Sequence, residues 1–556
     1  MFPTVSQLLR DAASKHGRRP ALHRQTRQGL EIITHEVLDA YSETLARWVV
    51  AQGGAVGDRI CIIGPNGPDW VMAALGILRA GRVLVPLDMQ FTADEITGLV
   101  DHSEATALIV SRQYSHLDQI KDHPGLSQWP LEDLIRDMTQ MEGDSGPLPE
   151  CDPEDLAVLL YTSGTSGAPK GVPMSHRNVT SNVLAVGRRL GPKPTDVWLS
   201  LLPLSHGLEL CMGLLAPLCW GASICYPRSR RPDLILGAMR DAKASVLPCV
   251  PAVLEFFARA IRQRAPGGWR GKMVRLALAL MPMGMRRWSV TKLSGMPLGS
   301  LRAVICGGAF LPLELEDFWR GMGQPIIQGY GMTEAGPVVS VNRLKRPTRQ
   351  SAGKLVENVE VRIADKNAEG IGEIQVKSPG VMKGYFKNEE ATREAFTEDG
   401  WLRTGDLGYM DDKDELHVAG RLKDVIITGN GLNVYPEEVE AKLQEHPLVK
   451  MACVVQRPIA ARGRRAERDG DQVWAAVVLD PEALEREMPQ IMNDTKKLQE
   501  LISQILAETN SRLAPYKRPA GADNWEELPL TRSGKVRRQK VREIYLKGGE
   551  TEPVTP

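Results

Sequence analysis

Apolar residues come in short runs whose period changes along the chain. "DRICIIGPN" at 58–66 is a β-branched run that ends in a turn, and it predicts a strand. "PDWVMAALGILRAG" at 68–81 is apolar at almost every position and closes on glycine, which predicts a helix. "RVLVPLD" at 82–88 predicts a strand again. Comparable runs recur in "LAVLLYTSG", "VWLSLLPLSHG", "ASICYPR" and "LRAVICGGA". Such alternation predicts an α/β fold with a largely parallel sheet. After about residue 350 the period shortens. "NVEVRIADKNAEGIGEIQVKS" alternates apolar with polar residues and predicts a small antiparallel sheet. A charged turn, "GRLKD", follows near 421. Beyond it, "YPEEVEAKLQEH" predicts a helix with proline and two glutamates in its first turn. "KMACVVQ" and "VWAAVVLD" predict strands. "TKKLQELISQILAETNSRL" predicts a helix with an apolar stripe at Leu498, Leu501, Ile502 and Ile505.

Composition narrows the class. The 556 residues exceed one compact core and predict two or more domains. A net charge of +1 argues against a dedicated nucleic-acid binder. The basic runs at 227–233 and 461–470 read as solvated loops. None of the eight cysteines forms a C-x-x-C pair, and most sit in apolar runs, so they read as reduced core residues of a cytoplasmic protein. The N-terminus reads as an amphipathic helix, without the apolar run of a signal peptide. No apolar stretch is long enough to span a membrane.

"YTSGTSGAPKGV" at 161–172 carries the first chemistry. Backbone N–H groups in a Gly/Ser/Thr-rich turn can converge on anionic oxygens, and a rim lysine adds a point charge. The run is no Walker A loop, because Lys170 lies between Pro169 and Gly171 and a strand-like stretch follows. It reads as a hairpin closing over a polyphosphate, with Thr162, Ser163, Gly164, Thr165, Ser166, Gly167 and Lys170 as phosphate contacts.

Four further stretches follow in order: "IIQGYGMTEAGP" at 326–337, "GWLRTGDLG" at 400–408, "GRLKDVIITGNGLNVYPEEVE" at 420–440 and "LPLTRSGKVRR" at 528–538. Together with the glycine-rich loop they resemble the adenylate-forming (AMP-dependent synthetase/ligase) superfamily over essentially the whole chain. Among its members the sequence looks most like the long- and medium-chain fatty acyl-CoA synthetases. The resemblance implies a large N-terminal domain of α/β layers with a small β-barrel-like sheet at 1–420. It further implies a hinge at 421–424, a small mobile α+β C-terminal domain at 425–546 and a tail at 547–556. ATP, Mg2+ and CoA are the implied cofactors and co-substrates. Glu334 would hold the magnesium with Thr165, and Thr333 would donate to the α-phosphate. Tyr330, with Gly329 and Gly331, would stack on adenine, Gln328 would reach its amino group, and Gly308 and Ala309 would border it. Asp406 would accept both ribose hydroxyls, with Arg421 beside it. Lys535 would bridge the substrate carboxylate and the α-phosphate, and Lys423 would be the pivot.

"LPLSHGLELCMGLLAPLCWGASICY" resembles the acyl-tunnel run of fatty acyl-CoA synthetases, with His206 at the mouth and Gly307 on the wall. It lacks the Phe-Asp pair that binds an α-amino group in amino-acid-activating relatives. His206 and Glu209, three apart, could face one way on a helix, yet no third metal ligand is evident. Gly429, Asn430 and Gly431 resemble the loop that lines the pantetheine tunnel, and CoA is the expected acceptor. An acyl carrier protein as acceptor, an enzyme that stops at the acyl-adenylate, and a non-catalytic ATP-binding homologue are the alternatives. Residues 264–300, rich in Met, Leu, Arg and Trp, fit either a buried helix pair beside the tunnel or a basic amphipathic helix on an anionic membrane.

Overall fold

The computed structural model describes residues 2–120, 125–137, 146–162, 169–264, 277, 280–428, 432–457, 472–492, 494–531 and 536–546. The predicted loop at 461–470 and tail at 547–556 lie outside them. Among the described residues two large sheets carry the N-terminal part. One has six strands, in the order Ser127–Pro130, Ala105–Val110, Arg59–Ile63, Val83–Leu87, Leu156–Thr162 and Lys170–Ser175. Its neighbours run parallel except for the last pair, which forms a hairpin. The other has nine strands. Its parallel centre runs Ile326–Tyr330, Ala303–Cys306, Val246–Cys249, Val197–Leu199, Ser223–Tyr226 and Pro20–Gln25. Antiparallel strands finish both edges.

The helix Pro68–Arg79 touches strands of both sheets. Ten of its twelve residues are buried, which accounts for its nearly unbroken apolar sequence. Gly76 allows helix His35–Ala51 to cross it, since a Cβ there would lie 2.7 Å from the Leu45 side chain. Helix His176–Leu190 is likewise buried along most of its length. One apolar cluster therefore runs from Ile60 and Val158 in one sheet to Leu22, Ile224 and Val246 in the other.

Asp196 holds the starts of adjacent strands in the larger sheet. This carboxylate, almost fully buried, accepts from Lys193 N at 2.7 Å, Ser245 Oγ at 3.0 Å and Arg302 Nε at 2.7 Å. Each of these residues lies just before, or at the turn into, one of the strands Val197–Leu199, Val246–Cys249 and Ala303–Cys306. Burial alone would raise its pKa, but Arg302 and the Lys193 amide outweigh it and hold it below the usual aspartate value.

The predicted antiparallel sheet is a four-stranded meander of Glu360–Ala364, Gly372–Lys377, Leu402–Met410 and Leu416–Arg421. Its polar positions are covered as well: Glu373 and Gln375 are buried and bonded to each other at 2.9 Å. From residue 426 onward the described chain builds two apolar clusters of its own, around a three-stranded sheet and the helices Pro436–Gln444, Thr495–Ser511 and Arg538–Leu546. Leu501, Ile502 and Ile505 of the predicted stripe are buried there. Arg538 donates to Asp424 at 2.8 Å, Glu437 at 3.0 Å and both Glu440 oxygens at 2.8 Å. All eight cysteines are free thiols. Among the described residues no helix is long and apolar enough to cross a membrane.

The possible His206–Glu209 pairing is corrected here. His206 stands before the helical run, whose π-helical part is Glu209–Leu215, and Glu209 turns into the core. Glu209 is fully buried and takes a hydrogen bond of 2.5 Å from Ser200 Oγ, which itself accepts from Asn66 Nδ2. The Glu209 carboxyl fills the space over Gly213, where a Cβ would lie 2.4 Å from it. His206 stays partly exposed, with Nε2 3.9 Å from Asp88 Oδ2. No group of three metal-ligating side chains occurs among the described residues.

Two stability effects are expected. Asp196→Ala leaves Arg302 and Ser245 without their acceptor and should cost about 3–5 kcal/mol in urea denaturation at neutral pH. The lowered pKa means that this deficit is present above the usual carboxylate range and shrinks as acid protonates Asp196 in the wild type. A deficit independent of pH would contradict the ion-pair account. For Glu209, burial pushes the carboxyl from 4.5 up to about 8. Its contribution is full below about pH 4.5 and is lost as pH rises toward about 8, because the unfolded chain releases a proton that the folded protein holds. Glu209→Gln, neutral and similar in shape, should flatten that decline in melting temperature; parallel curves would refute the assignment.

Candidate active site

The hairpin Leu156–Thr162/Lys170–Ser175 brings Thr162 opposite Lys170, where the ladder ends. Ser163, Gly164, Thr165, Ser166 and Gly167 lie outside the described residues. Lys170 Nζ sits 4.8 Å from the centre of the Tyr385 ring. The Tyr385 hydroxyl donates to Glu334 Oε1 at 3.0 Å. One tyrosine thus links the hairpin lysine to the acidic residue of Y-G-x-T-E. Its backbone neighbourhood joins the same two segments: Met382 N donates to Glu334 O at 2.9 Å, and Phe386 N to Gly171 O at 2.9 Å. Tyr385 lies in "GVMKGYFKN", and the sequence analysis did not single it out. Its pairing depends on the loop after the meander's second strand folding back across both sheets, which no local spacing encodes.

Glu334 is buried in the short turn Thr333–Ala335 that follows strand Ile326–Tyr330. Gly331 makes that turn possible, because a Cβ there would meet the Pro337 carbonyl oxygen at 2.1 Å. No hydrogen bond to Glu334 Oε2 is present among the described residues, so this oxygen retains the lone pairs that a hard cation takes. Thr333 faces Gly207, 3.6 Å from where a Cβ would stand, and Gly207 in turn faces Leu160 of the hairpin strand.

Three predicted residues form one chain. The Tyr330 hydroxyl donates to Asp406 Oδ2 at 2.9 Å, and Arg421 Nε lies 3.0 Å from Asp406 Oδ1. Asp406 and Arg421 are direct cross-strand partners in the meander. Thr404 braces the turn by donating to Ile374 O at 2.6 Å and accepting from Asp406 N at 3.0 Å. Gly405 has φ of +66°, which a side chain would strain. Burial and the adjacent Asp406 carboxylate push the Tyr330 phenol well above its usual pKa, so it remains a donor.

Gln328 Nε2 donates to the buried Glu316 at 3.1 Å, so the amide is held in place. Gly307, Gly308 and Ala309 follow strand Ala303–Cys306, the parallel partner of Ile326–Tyr330. A Cβ on Gly307 would lie 3.2 Å from Gly329 O and 3.9 Å from Leu208, so this glycine separates the Tyr330 strand from the His206 loop. Lys423 lies in the short turn Leu422–Asp424. Partial burial and then the Arg421 cation lower its pKa, with Asp424 and Asp406 opposing and Lys170 adding to the effect. Lys423 therefore lies within the electrostatic reach of the hairpin lysine, Lys170. Gly429, Asn430, Gly431 and Lys535 lie outside the described residues.

The arrangement suits a nucleoside polyphosphate: a cationic hairpin, a buried carboxylate opposite it, and an aromatic–carboxylate–guanidinium chain at one side. Comparison with known proteins agrees. The profile of the AMP-binding enzyme family matches residues 9–386, and that of the AMP-binding enzyme C-terminal domain matches 438–535. A feruloyl-CoA synthase of Amycolatopsis sp is 30% identical over 526 residues, covering 93% of this chain and 95% of that one. The long-chain-fatty-acid–CoA ligase of Bacillus subtilis is 28% identical, covering 97% of this chain and 94% of that one. The structure of ATP-bound MatB from Rhodopseudomonas palustris matches with a TM-score of 0.78 at 27% identity, covering 98% of this chain and 99% of that one. On the strength of the family profile, the end-to-end fold match and the clustered nucleotide-type site, the protein belongs to the AMP-binding enzyme family, within the adenylate-forming superfamily.

Proposed function

We propose that the protein is an AMP-forming acid–CoA ligase whose acid is a fatty acid. A carboxylate oxygen attacks the α-phosphorus of ATP, forming an acyl-adenylate and releasing pyrophosphate. The thiol of CoA then attacks the acyl carbonyl, loses its proton, and displaces AMP. The observation that carries this reading is the convergence of Lys170, Tyr385 and Glu334 from separate elements beside the Tyr330–Asp406–Arg421 chain.

The first step brings one anion onto another, so cations must hold both in line. In this reading Lys170 and the loop Ser163–Gly167 hold the β- and γ-phosphates, and Thr333 holds the α-phosphate. Glu334, with Thr165, would hold magnesium; bound there, the ion supplies charge against the phosphate oxygens. Tyr385 keeps Lys170 and Glu334 apart before ATP arrives and keeps the glutamate oriented. Tyr330 takes the adenine face, Gln328 its amino group, and Asp406 and Arg421 the ribose. His206 and Gly307 border the acyl group, and 429–431 admit the pantetheine arm.

A fatty acid fits the apolar run after His206 and the absence of an acidic partner for an α-amino group. It also fits the fatty-acid ligase among the relatives. An aromatic propenoic acid is the second reading, favoured by the feruloyl- and coumarate-ligase relatives. The test is pyrophosphate release over a panel of straight-chain, aryl and dicarboxylic acids, with CoA, with carrier protein, or with neither. Selective turnover of aliphatic acids with CoA is expected. Preference for ferulate or coumarate would move the substrate to the second reading, and no turnover of any acid would end both.

Lys535 and the 429–431 loop both belong to the C-terminal part, and we place the pivot between their two uses at Lys423. Arg538, which follows Lys535 by three residues in the sequence, is bonded to Asp424 at 2.8 Å. Lys535→Ala should slow adenylation roughly 100- to 1,000-fold, as loss of a charge that stabilises the transition state does. Thioester formation from supplied acyl-adenylate should be unchanged. Equal losses in both half-reactions would refute the two-face assignment.

A further inference from the structure

His206 and Gly207 sit at the end of an irregular segment. Residues 200–206 follow strand Val197–Leu199 of the larger sheet and form no helix or strand of their own. The backbone polar groups of such a segment need partners from elsewhere. Asn66, between strand Arg59–Ile63 of the six-stranded sheet and helix Pro68–Arg79, supplies several. Its Nδ2 donates to Leu202 O at 2.5 Å and to Ser200 Oγ at 3.2 Å, and its Oδ1 accepts from Leu204 N at 3.1 Å. Ser200 Oγ donates in turn to Glu209 Oε1, so the hold extends past Gly207 to the start of the next buried turn. Strand Val83–Leu87, the parallel neighbour of Arg59–Ile63, adds a further bond. Ser205 Oγ donates to Asp88 Oδ2 at 3.3 Å, and His206 Nε2 lies 3.9 Å from the same oxygen.

We propose that Asn66 is a positioning residue for the acid substrate: its amide fixes the loop 200–207 against the opposite sheet, and so sets where His206 and Gly207 meet the acid beside Thr333. Leu202 O and Leu204 N together require a donor and an acceptor on one short side chain, which an amide provides and a carboxylate does not. The held loop ends on Gly207, whose Cβ would lie 3.2 Å from Leu160 and 3.6 Å from Thr333, so a shift of the loop moves the acid relative to the residue assigned to the α-phosphate. Among the described residues the hydrogen bonds of the Asn66 side chain all go to this loop. Tyr330, Asp406 and Arg421, assigned to the nucleoside, bond one another instead. Loss of the amide should therefore disturb the acid and spare ATP. The inference rests on the acid–CoA ligase reading and adds to it a residue outside the ordered motifs.

The experiment is acid-dependent ATP–pyrophosphate exchange, with octanoate, or with ferulate should the acid panel favour it. The kcat and the KM values for acid and for ATP are measured separately in the wild type, Asn66→Asp and Asn66→Ala. The aspartate keeps an acceptor for Leu204 N but sets an oxygen against Leu202 O; the alanine removes both bonds. In each variant kcat/KM for the acid should fall roughly 10- to 100-fold, as a misplaced reactant costs, with a raised KM for the acid and the wild-type KM for ATP. A merely structural role would lower kcat through the folded fraction and leave both KM values alone. Ser205→Ala, which removes the bond to Asp88, should raise the KM for the acid by a smaller factor, and it carries the test if the Asn66 variants do not fold. Unchanged acid kinetics in folded variants, a fall in kcat alone, or equal rises in both KM values would overturn the inference while the wild type remains active. A wild type without acid-dependent exchange would end the proposed function, and this role with it.

Discussion

The burial of helix Pro68–Arg79 between two sheets is the constraint on which the rest depends. A helix apolar on every side cannot remain in water, and here each face finds a sheet or another helix. That packing fixes the distance between the hairpin strand Leu156–Thr162 and strand Ile326–Tyr330, which belong to different sheets. Gly207 marks the contact, with Leu160 on one side and Thr333 on the other. A Cβ there would lie 3.2 Å from Leu160 and 3.6 Å from Thr333, so the glycine lets the two sheets approach closely at this point.

Electrostatics at the site is arranged in advance. Burial first, then the Arg421 cation and last Lys170 lower the pKa of Lys423, and the Tyr385 ring face attracts Lys170. A polyanion that entered would relieve the repulsion. The carboxylates are held in turn: Glu334 by Tyr385, Asp406 by Tyr330 and Arg421. Such groups need little reorganisation when a ligand arrives, which is where preorganised sites gain over water. At the far end of the same sheet Asp196 and Arg302 lock the strand starts, so the strand ends that carry Gly307 and Tyr330 rest on a rigid base.

The C-terminal part is joined differently. Its apolar clusters contain no residue before 426. Its links to the rest are polar and few in kind, such as Arg259 to Asp480 at 3.4 Å and Asn367 to Tyr435 at 3.5 Å. Polar, partly hydrated contacts exchange with water at little cost, unlike a shared apolar core. The buried cluster of Arg538 with Asp424, Glu437 and Glu440 ties helix Arg538–Leu546 to helix Pro436–Gln444 and to Asp424.

The sequence by itself determined the elements and the chemistry class. The runs at 58–88 gave strand, helix and strand because β-branched residues, capping glycine and proline act locally. The ordered motifs singled out Tyr330, Glu334, Asp406 and Arg421 through their resemblance to the adenylate-forming superfamily, and the fold joins Tyr330, Asp406 and Arg421. What the sequence left open depends on contacts between segments far apart in the chain. Tyr385 carries no pattern of its own and gains its position only when three elements meet. Glu209 sits three residues from His206, yet it lies in the core, where Ser200, distant from the local pattern, bonds its carboxyl. The stretch 264–300 was compatible with a buried or an exposed helix, because amphipathicity gives the direction of the apolar face but not what covers it. In helix Met283–Ser294 of that stretch the tertiary structure buries Val290 on the side packed against helix Pro251–Arg264 and leaves Trp288 exposed.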